Sequence, residues 1–426
     1  MSKIVKRRWS SEVGSGLPRR DRASCDYDAY IPDPLSGRSI RLDGEVAADV
    51  ADAETALARY DESASTLADT EALARLLLRA ESVASSKIEG LEVGGRRLLR
   101  AEAAQAAGDE PRDVTAMEVL GNIRAMTWAL EMVQPGGDIS VDLILEAHRR
   151  LLVGTALEGV GGHVRLEQNW IGGSSYNPCS AVFVPPPPEE VGRLLEDLCA
   201  FCNTDSLPAV TQAALAHAQF ETIHPFVDGN GRIGRALIHL ILRRRGLAVR
   251  ISPPVSLVLA TWSLDYVEGL TAMRYRGRPN SKAANEGLNM WVGLFATACR
   301  RAIGDAETFE GSVVALQDDW RRRLGRVRSG SAADRLIRAL PGAPIITVKG
   351  AAALIGRTYQ ATNLGIAQLE KAGILTQVNI GKRNRAFESP ELITQFTDLE
   401  RRLASPGGDT HASRPSRRVP HRPNSG

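Results

Sequence analysis

The chain has 426 residues, 43% hydrophobic and 24% charged, with a formal net charge of +3. This composition suits a soluble protein of two or three domains with a substantial core. No run of eighteen apolar residues is present, and MSKIVKRRWSSEVGSG lacks the apolar stretch and cleavage site of a signal peptide. A cytoplasmic protein without membrane contact is therefore expected.

The charge is unevenly spread. Residues 1–22 hold seven Lys/Arg against two acids, and residues 405–426 hold four against one, leaving the body near −5. Five cysteines (Cys25, Cys179, Cys199, Cys202, Cys299) form an odd, scattered set. Only Cys199 and Cys202 make a CxxC, within LLEDLCAFC. Leucines and cysteines repeat there at helical spacing, and no second pair completes a zinc site, so core packing is expected.

In chain order, residues 1–24 are polar and basic and read as a flexible tail. YIPDPLSGR (Tyr30–Arg38) reads as an extended strap set by its prolines. Apolar positions three and four apart predict two amphipathic helices between Val46 and Ile88, the second closed by Glu89-Gly90. Further helices are expected over Val114–Val133 and Val141–Val153. GGHVRLEQNWIGGSSYNPCSAVFVPPPP then changes texture, and its β-prone pieces around NWIGG predict a small hairpin. Helices resume over Glu189–Cys202, Thr211–Ile223, Gly231–Arg245, Leu264–Tyr275 and Leu288–Ile303. Leu324–Ser331 reads as a hinge. Three short helices and a two-stranded ribbon with the tip IGKRNR follow, the order of a winged helix-turn-helix. Residues 405–426 have no apolar face and read as disordered. The expected domains are a 1–24 tail, a 25–135 helical region, a 136–310 core, a 331–404 winged helix and a 405–426 tail.

HPFVDGNGRIGR, from His224 to Arg235, is either a polar turn between helices or a device for holding a nucleotide. DGNG falls at a helix N-terminus, where unpaired amides and the dipole favour an anion. Gly229 and Gly231 allow close backbone approach. Arg232 and Arg235, three apart, share a helix face, and two guanidiniums with several amides suit a polyphosphate. Asp228 offers a hard oxygen to Mg2+, and His224 is suited to removing a proton from a hydroxyl. Together they describe phosphoryl or nucleotidyl transfer.

His224, Pro225, Phe226, Asp228, Gly229, Asn230, Gly231, Arg232 and Arg235 match the signature of the Fic (Fic/Doc) family, which transfers AMP from ATP to protein hydroxyls. QNWIGGSSYNPCSAVFVPPP resembles the family's flap, and YIPDPL with the early helices is similar to its N-terminal region, so the resemblance covers roughly residues 26–300. It implies a mainly α fold: an all-helical Fic core with a small β-hairpin flap, beside the winged helix. It implies His224 as general base, Phe226 as apolar anchor and Asp228 as the Mg2+ ligand. Asn230 with the Gly229 and Gly231 amides would bind the α- and β-phosphates of ATP, and Arg232 and Arg235 the outer phosphates. The flap, around Asn169–Phe183, would hold a target protein by strand addition. Leu257 and Tyr266 are candidates for the adenine wall.

SSKIEG (Ser85–Gly90) gains meaning beside that signature, because it resembles the family's inhibitory pattern. The resemblance implies that Glu89 pairs with Arg235 and displaces the γ-phosphate, a competition of two anions for one guanidinium. Taken alone, the same stretch is an ordinary helix end with a surface carboxylate. His217 and His239 read as packing histidines, whereas His163 and Arg165, at the hairpin mouth, are weaker candidates for nucleotide or target contact.

Three function classes follow. The first is a protein adenylyltransferase acting on Ser, Thr or Tyr, with Glu89 as its brake. The second is a DNA-binding regulator whose Fic core senses nucleotide. The third is a Fic enzyme with altered nucleotide chemistry. Residues 331–404 carry ten Lys/Arg against six acids, which suits DNA or protein docking about equally. Monomer and homo-oligomer are both left open.

Overall fold

The computed structural model describes residues 1–10, 18, 21–64, 70–106, 108–109, 113–380 and 384–403. Helices dominate, as expected. The chain forms two compact units that do not follow sequence order.

The first unit comprises Met1–Glu62, Leu120–Val249 and Leu264–Arg300. At its centre runs the helix Ala209–Ile223, in which every residue is buried. Its sequence AVTQAALAHAQFETI accordingly shows small and apolar residues all round rather than one stripe. Several of its buried polar groups find partners across the unit. Gln212 Nε2 donates to the Phe201 and Thr204 carbonyls at 2.8 and 2.7 Å, and Gln219 Nε2 to the Asp33 carbonyl at 2.8 Å. Trp291 Nε1 donates to the Ala214 carbonyl at 2.8 Å. A helix fixed on all sides also fixes the loop that leaves it.

The N-terminal segment departs from the expected flexible tail. Lys3–Trp9 forms a strand paired antiparallel with Cys25–Ile31, from Lys3↔Ile31 to Trp9↔Cys25. Trp9 meets the Trp170 ring edge-on at 5.3 Å, and Cys25 is joined to Cys179 by a disulfide. Both partners lie far along the chain, which is why a basic, weakly periodic segment read as solvated. Residues 11–17, 19 and 20 of that expected tail, and the 405–426 tail, lie outside the described residues.

The expected hairpin is also smaller than a ladder. It contains the single bridge Ile171↔Phe183 and a one-turn 3-10 helix, Pro178–Ser180. Gly172 and Gly173, with φ of 74° and 76°, and the following prolines interrupt strand pairing.

The second unit comprises Ser63–Val119, Arg250–Ser263 and Arg301–Gly426. Helices Ala332–Ala339, Val348–Ile355 and Tyr359–Lys371 precede the antiparallel pair Thr376–Ile380 and Asn384–Glu388. Two elements join this expected order. Ile345–Thr347 adds a third strand beside Asn384–Glu388, and Pro390–Leu403 is a further helix. The helix Lys282–Leu324 runs 43 residues, well past its expected end at Ile303. Gly95–Ala106 and Val255–Thr261 are helices that the periodicity did not reveal. Tertiary contacts hold both: Glu388, 3% exposed, accepts from Arg96 at 2.6 Å and Arg100 at 3.1 Å, while fully buried Glu81 accepts from the Ser256 amide at 2.7 Å. The tip bases Lys382 and Arg383 lie outside the described residues.

Cys199, Cys202 and Cys299 are buried and take no part in the disulfide. Burial pushes the Cys199 thiol up to about 12 and Cys202 well above its ordinary value, so the CxxC behaves as core packing. Among the described residues, no helix is long and apolar enough to cross a membrane.

Candidate active site

The buried helix Ala209–Ile223 ends at His224, which has φ 49°. Among the described residues it is the only non-glycine with positive φ. Such a conformation costs on the order of 1 kcal/mol and persists only where surrounding contacts impose it. Here they are visible. The His224 amide donates to the Phe220 carbonyl at 2.9 Å, and the His224 carbonyl accepts from Arg165 Nε at 2.9 Å and Asn169 Nδ2 at 3.2 Å. The imidazole is left 20% exposed, enough to be reached from solvent. Its Nδ1 lies 3.9 Å from the buried carboxylate of Glu221, within ion-pair range but too long for a hydrogen bond.

The loop after His224 is built inward. Phe226 is fully buried, and Asn230 closes a two-bond clamp on its backbone: Oδ1 accepts from the Phe226 amide at 2.8 Å and Nδ2 donates to its carbonyl at 2.9 Å. Asn169 Nδ2 adds a bond to that carbonyl at 3.1 Å. The Asn230 side chain thus braces the loop, where the resemblance implied a phosphate ligand. Gly229, φ 79°, caps the helix Asn230–Arg244, and a Cβ there would sit 2.8 Å from Leu151 Cδ2. Only glycine suits both constraints.

Arg232 and Arg235, in the first turns of that helix, are 4% and 1% exposed. Asp228 remains half exposed, and its carboxylate pairs with Arg232 at 2.9 Å. Within one short segment the fold therefore collects a reachable imidazole, a helix N-terminus, two buried guanidiniums and a carboxylate at the surface. That set can hold a polyphosphate and deprotonate a hydroxyl brought beside it. Among the described residues, no group of three or more His, Cys, Asp or Glu could hold a metal. A lone hard carboxylate instead fits Mg2+ that takes most of its ligands from nucleotide phosphates and water.

Two candidates are enclosed by packing. Tyr266 is 4% exposed, with its hydroxyl 2.8 Å from His217 Nε2 and its ring stacked on that imidazole. Leu257 is 5% exposed and belongs to the second unit. Neither offers an open face to adenine, because both are occupied in packing. Ser85 is buried and Glu89 exposed at the end of the helix Thr70–Ile88, also in the second unit. His163 is exposed. Arg165 is structural: 3% exposed, it donates to the carbonyls of His224, Glu167 and Pro186, and burial lowers it to about 10.

Sequence reasoning missed Glu221, the bracing by Asn169, and His148. Buried His148 stacks on Phe226 with ring centroids 3.7 Å apart, and burial pushes it down to about 4. A lone histidine in LILEAHRRLL carries no pattern that could have exposed this.

The comparisons with known proteins agree with this geometry. Residues 138–242 match the profile of the Fic/DOC family, and residues 47–131 match that of the Fic/DOC family N-terminal region. Protein adenylyltransferase fic-1 of Caenorhabditis briggsae is 33% identical over 198 residues, 44% of this chain and 36% of that protein. Protein adenylyltransferase Fic of Drosophila melanogaster is 36% identical over 139 residues, 32% of this chain and 26% of that protein. The match thus spans about a third or less of these relatives' length. The crystal structure of a Fic family protein from Desulfovibrio desulfuricans superposes with a TM-score of 0.50 at 21% identity, covering 82% of this chain and 97% of that one. That likeness concerns the fold alone.

Proposed function

We propose that this chain is a Fic-type protein adenylyltransferase, moving AMP from ATP to a Ser, Thr or Tyr hydroxyl of a target protein or of itself. The observation that carries this reading is the segment from His224 to Arg235, which holds the base, the amides of a helix N-terminus and two guanidiniums within twelve residues. His224 takes the hydroxyl proton as the oxygen bonds to the α-phosphorus. The bond from that phosphorus to the bridging oxygen breaks, and pyrophosphate leaves. Gly229 and Gly231 amides cradle the phosphates, and Arg232 and Arg235 hold their outer oxygens. Asp228 would hold Mg2+, whose charge offsets that of the phosphates.

The remaining assignments rest on the sequence. Glu89, with Ser85 a turn before it, is read as the brake on Arg235. Residues 136–310 are read as the catalytic core and 331–404 as a winged helix-turn-helix that docks protein or DNA. The cytoplasmic reading meets a counter-argument in the Cys25–Cys179 disulfide, since disulfides persist in oxidising surroundings.

The test is incubation with labelled ATP and Mg2+, wild type beside Glu89→Gly, followed by mass spectrometry of every modified protein. A gain of one AMP supports the reading. Nucleotide binding with no transfer favours the regulator, and a different mass change favours altered chemistry.

A further inference from the structure

We infer that His148 is a positioning residue for the anion loop, turning the Asp228–Gly229 peptide so that the Gly229 amide faces the side from which phosphate arrives. The inference rests on the proposed nucleotide site. It begins with two contacts. His148 Nε2 lies 3.0 Å from the Asp228 carbonyl oxygen, and Nδ1 lies 3.0 Å from the Gly162 amide nitrogen. A carbonyl can only accept and an amide N–H can only donate, so Nε2 carries the hydrogen and Nδ1 does not. Each contact selects the same neutral tautomer.

The consequence for the loop follows from peptide geometry. In a planar trans peptide the C=O and the next N–H point in opposite directions. With the Asp228 carbonyl drawn inward onto fully buried His148, the Gly229 N–H is directed outward. The imidazole itself cannot swing, because it stacks on fully buried Phe226 at an interplanar angle of 9°. Leu151, one turn further along the same helix, packs where a Gly229 Cβ would lie and supports the loop from the same side. The Asp228 carboxylate is therefore carried on a backbone whose orientation His148 sets.

Two conservative variants separate this role from packing. The amide of glutamine reaches about as far as imidazole Nε2, and that of asparagine about as far as Nδ1. His148→Gln keeps a donor for the Asp228 carbonyl, whereas His148→Asn keeps only an acceptor for Gly162. Both lose the ring and should lower Tm to a similar degree. Titration calorimetry with ATP and Mg2+ should find His148→Gln within a few fold of wild type and His148→Asn weaker by about tenfold, the worth of one hydrogen bond. Equal affinities for the two variants, or losses that simply follow Tm, would overturn the inference and leave the nucleotide site standing. Wild type that binds no ATP would remove both. Should the variants fail to fold, 15N NMR of the wild-type imidazole decides: a proton on Nε2 supports the inference, and a proton on Nδ1 overturns it.

Discussion

Asp228, in the loop before the helix Asn230–Arg244, pairs with Arg232 in its first turn at 2.9 Å, so the proposed metal ligand and one proposed phosphate ligand neutralise each other. Nucleotide and Mg2+ would have to part them. Asp228→Ala should therefore abolish transfer while raising ATP affinity several fold in metal-free buffer, since Arg232 is released and a carboxylate is removed from beside the phosphates. Calorimetry with EDTA measures the second effect. Weaker metal-free binding by the variant would mean that Asp228 serves the loop rather than the ion.

His224 stands apart from the groups assigned to phosphate. His224→Ala should reduce AMP transfer to background while ATP affinity stays within a few fold, because the imidazole acts on the hydroxyl. Single-turnover labelling and equilibrium binding on one preparation separate the two quantities. Transfer at the wild-type rate would remove His224 as the base.

Glu89→Gly should raise self-modification strongly with little change in Tm, the carboxylate being exposed at a helix end. A misplacement of about 1 Å at the α-phosphate can cost roughly a hundredfold in rate, which sets the scale of release. Combined with His224→Ala the effect should vanish, since removing a brake supplies no base. Equal labelling of wild type and Glu89→Gly would leave SSKIEG an ordinary helix end.

His217 gives a stability test independent of activity. Burial lowers it from 6.5 to about 3, so between those values the unfolded chain takes up a proton that the folded chain does not. Its contribution is complete above pH 6.5 and is lost as pH falls below it, with a slope of up to about 1.4 kcal/mol per pH unit. Urea unfolding from pH 7 to pH 4 should show that slope reduced in His217→Gln, whatever the variant's stability at pH 7. An unchanged slope would mean that the imidazole is protonated in the fold.

What was legible in the sequence was local. HPFVDGNGRIGR announces a loop and a helix start because glycine, asparagine and arginine act within a few residues of one another, and the helices around it show their apolar spacing. The amphipathic helices Gly44–Ala64 and Thr70–Ile88 were readable for the same reason. Helix Gly95–Ala106 was not, because it depends on Glu388 to receive Arg96 and Arg100 from nearly three hundred residues away.

The same division runs through the site. The residue types from His224 to Arg235 and their spacing by themselves pointed to a nucleotide-holding chemistry, through the amides and dipole of a helix N-terminus. Tertiary structure decided which of the candidate side chains remain available. It commits Asn230 to the Phe226 backbone, Arg165 to the carbonyls beneath His224, and Tyr266 to His217. It also joins Cys25 to Cys179, and sets His148 and Leu151 against the loop at Asp228 and Gly229. A buried polar group must find a partner wherever the fold brings one, and that partner's place in the chain is not written in the neighbouring residues.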